Sequence, residues 1–151
     1  MIIYVAHPLG RRRNLPKEEI EENVLKSIAL GKQIMLRGHF PLVPNLYWYM
    51  HSGWTDSPPE SEWLENFKLV VARCDAFFYG GQSEGCDAER AVAEKAGIPI
   101  YTKVEDIPGD GVPSTYNPIN ESLNEIRHTL ESLVGETIKI TIAEMLDSEK
   151  E

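Results

Sequence analysis

The chain has 151 residues, with 15 basic against 24 acidic side chains and a net charge of -9, a balance that repels polyanions and argues against a nucleic-acid polymer as partner. No apolar run approaches the roughly 20 residues of a membrane span, and Met1-Ile2-Ile3 lacks the basic region of a signal peptide, so a cytoplasmic protein with no membrane partner is expected. Cys74 and Cys86 form no CxxC and the histidines at 7, 39, 51 and 128 form no ligand spacing, which predicts reduced thiols, no disulfide framework and no metal.

In chain order, Ile2 to Ala6 is a β-branched and aromatic run, the pattern of a strand buried on both faces. The turn His7-Pro8-Leu9-Gly10-Arg11-Arg12-Arg13 follows at its carboxyl end. Three consecutive arginines make either a solvated basic loop or an anion site, and their place at the end of a strand favours the anion, since guanidinium donors match phosphate oxygens. Alternation along an extended turn would put Arg11 and Arg13 on the same side. A helix is predicted from Pro16 to about Arg37, with Ile20, Val24, Ile28, Gly31 and Met35 inward. His39 to Val43 reads as a second strand, and Pro41 suits an edge position. Pro44 to Ser57 reads as a long loop; its Asn45, Tyr47, Trp48, Tyr49 and Trp54 either meet a planar base or cover an exposed edge of the core. Ser57-Pro58-Pro59-Glu60 resembles a capping box opening a helix with Trp63, Phe67, Val70 and Val71 inward.

Asp75 to Tyr79 is a third apolar run, broken by Gly80, Gly81 and Gly85. From Asp87 the small apolar residues at 88, 91, 92 and 96 predict a helix, which Gly97-Ile98-Pro99 closes before the run Ile98 to Tyr101. Strand, helix and strand in this order imply a parallel sheet with a right-handed crossover. Ligands of such sheets sit outside the carboxyl ends of the strands, here at the loop 80–86. Glu89, placed in the first helical turn, is the leading candidate residue, its ionised form favoured by the helix dipole. Farther on, Asn117-Pro118 caps a helix whose apolar residues at 119, 123, 126, 130 and 133 make a seam, packed on the sheet or on another subunit. Ile138, Ile140 and Ile142 alternate like an edge strand. The expected architecture is α/β: a Rossmann-like (flavodoxin-like), mostly parallel sheet of about five strands with helices on both faces, one domain over residues 1–143 and an acidic tail over 144–151.

Tyr4-Val5-Ala6, the turn from His7 to Arg13, the strand entry Cys74-Asp75, and Ser83-x-Gly85-x-x-x-Glu89 with its small-residue helix and Gly97-Ile98-Pro99 resemble the nucleoside 2-deoxyribosyltransferase family. More narrowly they resemble its branch of 2'-deoxynucleoside 5'-phosphate N-hydrolases, over about residues 2–102. The resemblance implies that Glu89 attacks the anomeric carbon while Tyr4 holds its carboxylate. It implies phosphate contacts from Gly10 to Arg13 and from Ser83, a serine where nucleoside-specific members carry an aspartate. His7, Gly85, Asn45 and Trp48, from the turn and loops at the same sheet edge, are the further candidates for substrate contact. The resemblance also implies a homo-oligomer, most simply a dimer, in which Ser114 and Asn117 help close a neighbouring site.

Three positions depart from the family pattern. His7-Pro8 stands for Gly-Ser, Glu84 sits beside the phosphate position, and the sugar-binding aspartate is replaced by Phe67, with Glu65 and Asn66 the nearest polar residues. The expected activity is cofactor-free hydrolysis of the N-glycosidic bond of a (deoxy)nucleoside 5'-monophosphate, giving free base and sugar phosphate. Base exchange between nucleosides is the alternative within enzymes, and a non-catalytic nucleotide-binding or sensor domain is the alternative outside them. The absence of GxGxxG disfavours a redox flavoprotein.

Overall fold

The run Ile2–Ala6 forms strand β1, which lies inside the sheet in the computed structural model, whose described residues are 1–109. Around it lie β2 (Phe40–Leu42), β3 (Ala76–Tyr79) and β4 (Ile100–Tyr101), all parallel, in the order β2-β1-β3-β4. This is the order of the first four strands of a flavodoxin-like sheet, whose ligand crevice opens between β1 and β3. Four strands are therefore described where about five were expected. The expected strand at 138–142, the helix from Pro118, Ser114, Asn117 and the acidic tail lie outside the described residues.

Successive residues of a strand face opposite sides, and the two cores follow from that. Ile3 and Val5 join Ala76, Phe78, Ile34, Val104 and Ile107 on one face, under helix α1 (Lys17–Leu36). Tyr4, Ala6 and Phe77 join Val71, Cys86 and Ala93 on the other, under α3 (Glu60–Val71) and α4 (Glu84–Ala96). Helices thus cover both faces. A third cluster of Leu9, Ile20, Val24 and Tyr47 packs beside α2 (Tyr47–Gly53). Pro41 lies in β2, which among the described strands pairs only with β1, so its missing N–H interrupts no ladder there. Asp75 fixes strand entry by accepting the Ile2 amide at 2.6 Å. No helix among the described residues is long and apolar enough to cross a membrane.

Four local expectations are corrected. The buried stripe of α1 is Ile20, Val24, Ser27, Gly31 and Ile34, while Ile28 and Met35 are 38% and 45% exposed. Steps of 4, 3, 4, 3 stay on one line of a 3.6-residue helix, and hydrophobicity alone hid Ser27, whose hydroxyl is satisfied by donating to the Val24 carbonyl at 2.7 Å. Only residues 54–57 of the expected loop 44–57 are one: a 3-10 turn over Pro44–Leu46 runs directly into α2, which ends at Gly53. Ser57 is no cap, because its oxygen lies 2.6 Å from His51 Nδ1 and accepts from the Trp63 indole, and α3 begins at Glu60 after Pro59. Finally, α4 starts at Glu84, three residues before the expected Asp87, since Ser83 Oγ accepts the Cys86 amide as an N-cap. Its buried residues are consequently Cys86, Glu89 and Ala93.

Candidate active site

Because β1 and β3 run parallel and in register, with Ala6 opposite Tyr79, their carboxyl ends open together into a cleft of about 290 Å³. That is close to the lower end of the roughly 300–1,000 Å³ typical of small-molecule sites. Glu89 lines it.

Glu89 is the sixth residue of α4 and only 6% exposed. The even-numbered face of β1 turns Tyr4 under the same helix. There the fully buried phenol stacks on Phe77 and donates to Glu89 Oε1 at 2.7 Å. Burial pushes the Glu89 carboxyl up to about 7, against the opposing pull of the Tyr4 hydrogen bond and the Lys68 charge. This corrects the expectation of a dipole-stabilised carboxylate in a first turn. Glu89 lies in the second turn, where the dipole has faded, and desolvation dominates. Tyr4 is itself raised by burial, then by the Glu89 charge and hydrogen bond, so the phenol stays protonated and remains a donor. The pair is a carboxyl that titrates near neutrality with one oxygen pinned.

The arginine segment is a 3-10 turn, Arg11–Arg13, entered through Gly10 at φ 94 and left through Asn14 at φ 52. A side chain at Gly10 would be strained at that angle and would run into Leu15. The segment is a 3-10 turn and not an extended one, so alternation does not set Arg12 apart: it lines the cleft together with Arg11 and Arg13. Arg11 faces Glu60, Nε to Oε2 at 3.9 Å, and Arg12 pairs with Glu84 at 2.7 Å. Glu84, 81% exposed, thus engages the turn itself. All three arginines line the cleft, as do Ser83, Gly85 and Cys86 from the start of α4. Of the first-turn amides of that helix, Cys86 and Asp87 bond to Ser83, which leaves those of Glu84 and Gly85 to favour an anion. The Cys86 thiol, pushed up to about 12 by burial, is no nucleophile at neutral pH.

His7 and Asn45 both line the cleft. Asn45 Nδ2 donates to the His7 carbonyl at 2.9 Å, tying the turn after β1 to the segment before α2. Burial lowers the His7 imidazole below its usual range. Trp48 is not in the cleft. It packs against Leu9, Ile20, Val24 and Tyr47, because α2 turns it towards α1, and Tyr47 is the aromatic residue of α2 that reaches the cavity. Phe67 and Leu64 of α3 supply an apolar wall. Glu65 and Asn66 point away from it, Glu65 pairing with Lys68 at 2.7 Å. A further carboxylate of the cleft, besides Glu84 and Glu89, is Glu60, absent from the sequence-based candidates. Its signal was spacing: two helical turns before Phe67, it shares that residue's face.

Among the described residues no group of three or more side chains is arranged to hold a metal ion. Ser114 and Asn117 lie outside the described residues. No protein-family model matches the chain, and no curated protein matches it.

Proposed function

We propose that the protein hydrolyses the N-glycosidic bond of a (deoxy)nucleoside 5'-monophosphate in the cytoplasm, releasing free base and sugar phosphate. The observation that carries the reading is the buried Tyr4 to Glu89 hydrogen bond of 2.7 Å, whose acceptor lines the cleft. It is joined by the resemblance of Tyr4, Ser83, Gly85 and Glu89 to the N-hydrolase pattern.

In the first step the ionised Glu89 attacks C1' and the C1'–N bond breaks, its electron pair leaving with the base, which takes a proton from solvent. Oxocarbenium character develops beside a carboxylate in a water-poor site, where electrostatic stabilisation is strong. Ester formation also neutralises a carboxylate that burial disfavours, which assists the step. In the second, water adds to C1', the bond to Glu89 breaks, the carboxylate is regenerated and the water proton leaves to solvent. Tyr4 holds one oxygen throughout and gives up no proton. Arg12, Arg13, Ser83 and the first amides of α4 form the phosphate end, and a phosphate there would replace Glu84 as the partner of Arg12. The resemblance further supports a homo-oligomer, most simply a dimer, with Ser114 and Asn117 of one subunit closing the site of the other.

The test is incubation with a panel of nucleoside monophosphates and chromatography for released base. Wild type should release base, and Glu89→Gln should lose activity by roughly a thousandfold or more. Turnover near wild type in Glu89→Gln would remove Glu89 from the mechanism. Incorporation of an added second base into nucleoside would replace hydrolysis by base exchange.

A further inference from the structure

We propose that Glu60 selects the leaving base, accepting from an adjacent ring N–H and amino group, so that the cleft takes a guanine-type base in preference to uracil or thymine. The inference rests on the N-glycosidase reading and adds the substrate class to it.

An acidic residue at the first position of a helix ordinarily stands in water. Glu60 has that position in α3, yet its side chain is 20% exposed and lines the cleft. Its one ion pair among the described residues is Arg11, at 3.9 Å, too long for a hydrogen bond. A carboxylate offers about four acceptor sites on its two oxygens, and no hydrogen bond among the described residues fills them. Arg11 answers in kind: its Nη1 is enclosed without an acceptor. The two form a loosely joined couple with bonding capacity to spare. A partly buried pair of this sort, 24% and 20% exposed, gains from a ligand that completes it.

Charge decides which part of a nucleotide comes here. A carboxylate repels phosphate, and Arg12, Arg13 and the start of α4 offer phosphate a better seat. The planar, apolar part of the ligand then falls beside Tyr47, Leu64 and Phe67, the wall that accompanies Glu60. Of the common base edges, guanine presents a ring N–H next to an amino group, two donors side by side that match two carboxylate oxygens. Uracil and thymine present one N–H between two carbonyls, one of which would face the carboxylate. A site whose buried acceptors go unfilled rejects the wrong ligand more strongly than an apolar pocket does.

Base release is measured with the guanine, hypoxanthine and uracil monophosphates on wild type, Glu60→Gln and Glu60→Asp. Hypoxanthine isolates the amino group, the feature by which it differs from guanine. Wild type should favour guanine over hypoxanthine by about tenfold and over uracil by about a hundredfold in kcat/KM. Glu60→Gln should compress both ratios to within about threefold, and Glu60→Asp should restore part of them, which shows that the charge and not the fold was lost. A wild-type ratio near one overturns the proposal, as does a Glu60→Gln variant that slows all three substrates by the same factor. If no nucleotide is hydrolysed, the glycosidase reading fails by itself. The same three nucleotides titrated calorimetrically into wild type and Glu60→Gln then decide Glu60 through their Kd ratios.

Discussion

Replacing Glu89 by Gln should stabilise the protein at alkaline pH and leave its stability almost unchanged in acid. The carboxyl rises from 4.5 to about 7 on folding. Between those values the folded chain holds a proton that the unfolded chain has released. Stability from this group is therefore full below about pH 4.5 and is lost as pH rises through about 7. At about 1.4 kcal/mol per pH unit the loss comes to about 3 kcal/mol above neutrality. Because Glu89 is only 6% exposed, solvent screening takes little from that figure. Gln keeps the Tyr4 hydrogen bond through its carbonyl oxygen but does not titrate. Urea denaturation of both proteins at a series of pH values reads the effect directly. The advantage of Glu89→Gln over wild type should grow by about 2–3 kcal/mol from about pH 5 to pH 8. A gap that stays constant or narrows with rising pH would refute the assignment of Glu89 as a desolvated carboxyl.

The same group sets the rate profile, since attack needs the ionised form: kcat/KM should rise with pH through about 7. Tyr4→Phe removes a charge-assisted hydrogen bond of about 1.5–3 kcal/mol, so that limb should move up by about one to two pH units; an unmoved limb argues against Tyr4 as the holder of Glu89. Two charge-assisted phosphate contacts imply at least about a hundredfold preference for a monophosphate over its nucleoside, and equal kcat/KM values would defeat the phosphate seat. Light scattering at micromolar concentration should give a mass above one 17.1 kDa chain, whereas a monomer mass rules out the shared site.

The order of strands and helices, α2 excepted, was legible because β-branched runs, glycine turns and helical periodicity repeat the same message at several positions. The edge place of β2 among the described strands could be read from Pro41, and the meeting of Tyr4 with Glu89 followed from the resemblance. Less legible were features that depend on a neighbour. Ser83 as a cap shifts α4 by almost a turn and so moves Glu89 out of the dipole's reach. The conformation of the arginine turn depends on left-handed Gly10 and Asn14, which no side-chain pattern announces. Glu60 reads in the sequence only as the end of a capping box, because its burial comes from the α3 packing face and from Arg11, 49 positions away in sequence.

The alternation of β1 has a further consequence for how this chain tolerates change. Ile3 and Val5 belong to one core, Tyr4 and Ala6 to the other, and the two sets are interleaved in five residues. A deletion of one residue within the strand would exchange the sets, carrying the phenol to the α1 side and an aliphatic side chain to Glu89. Length variation among descendants of this sequence should therefore gather outside β1, for example between α2 and α3, where residues 54–59 form neither helix nor strand. The strand acts as a ruler whose graduations place the chemistry, so that substitutions within it can be gradual while insertions and deletions cannot.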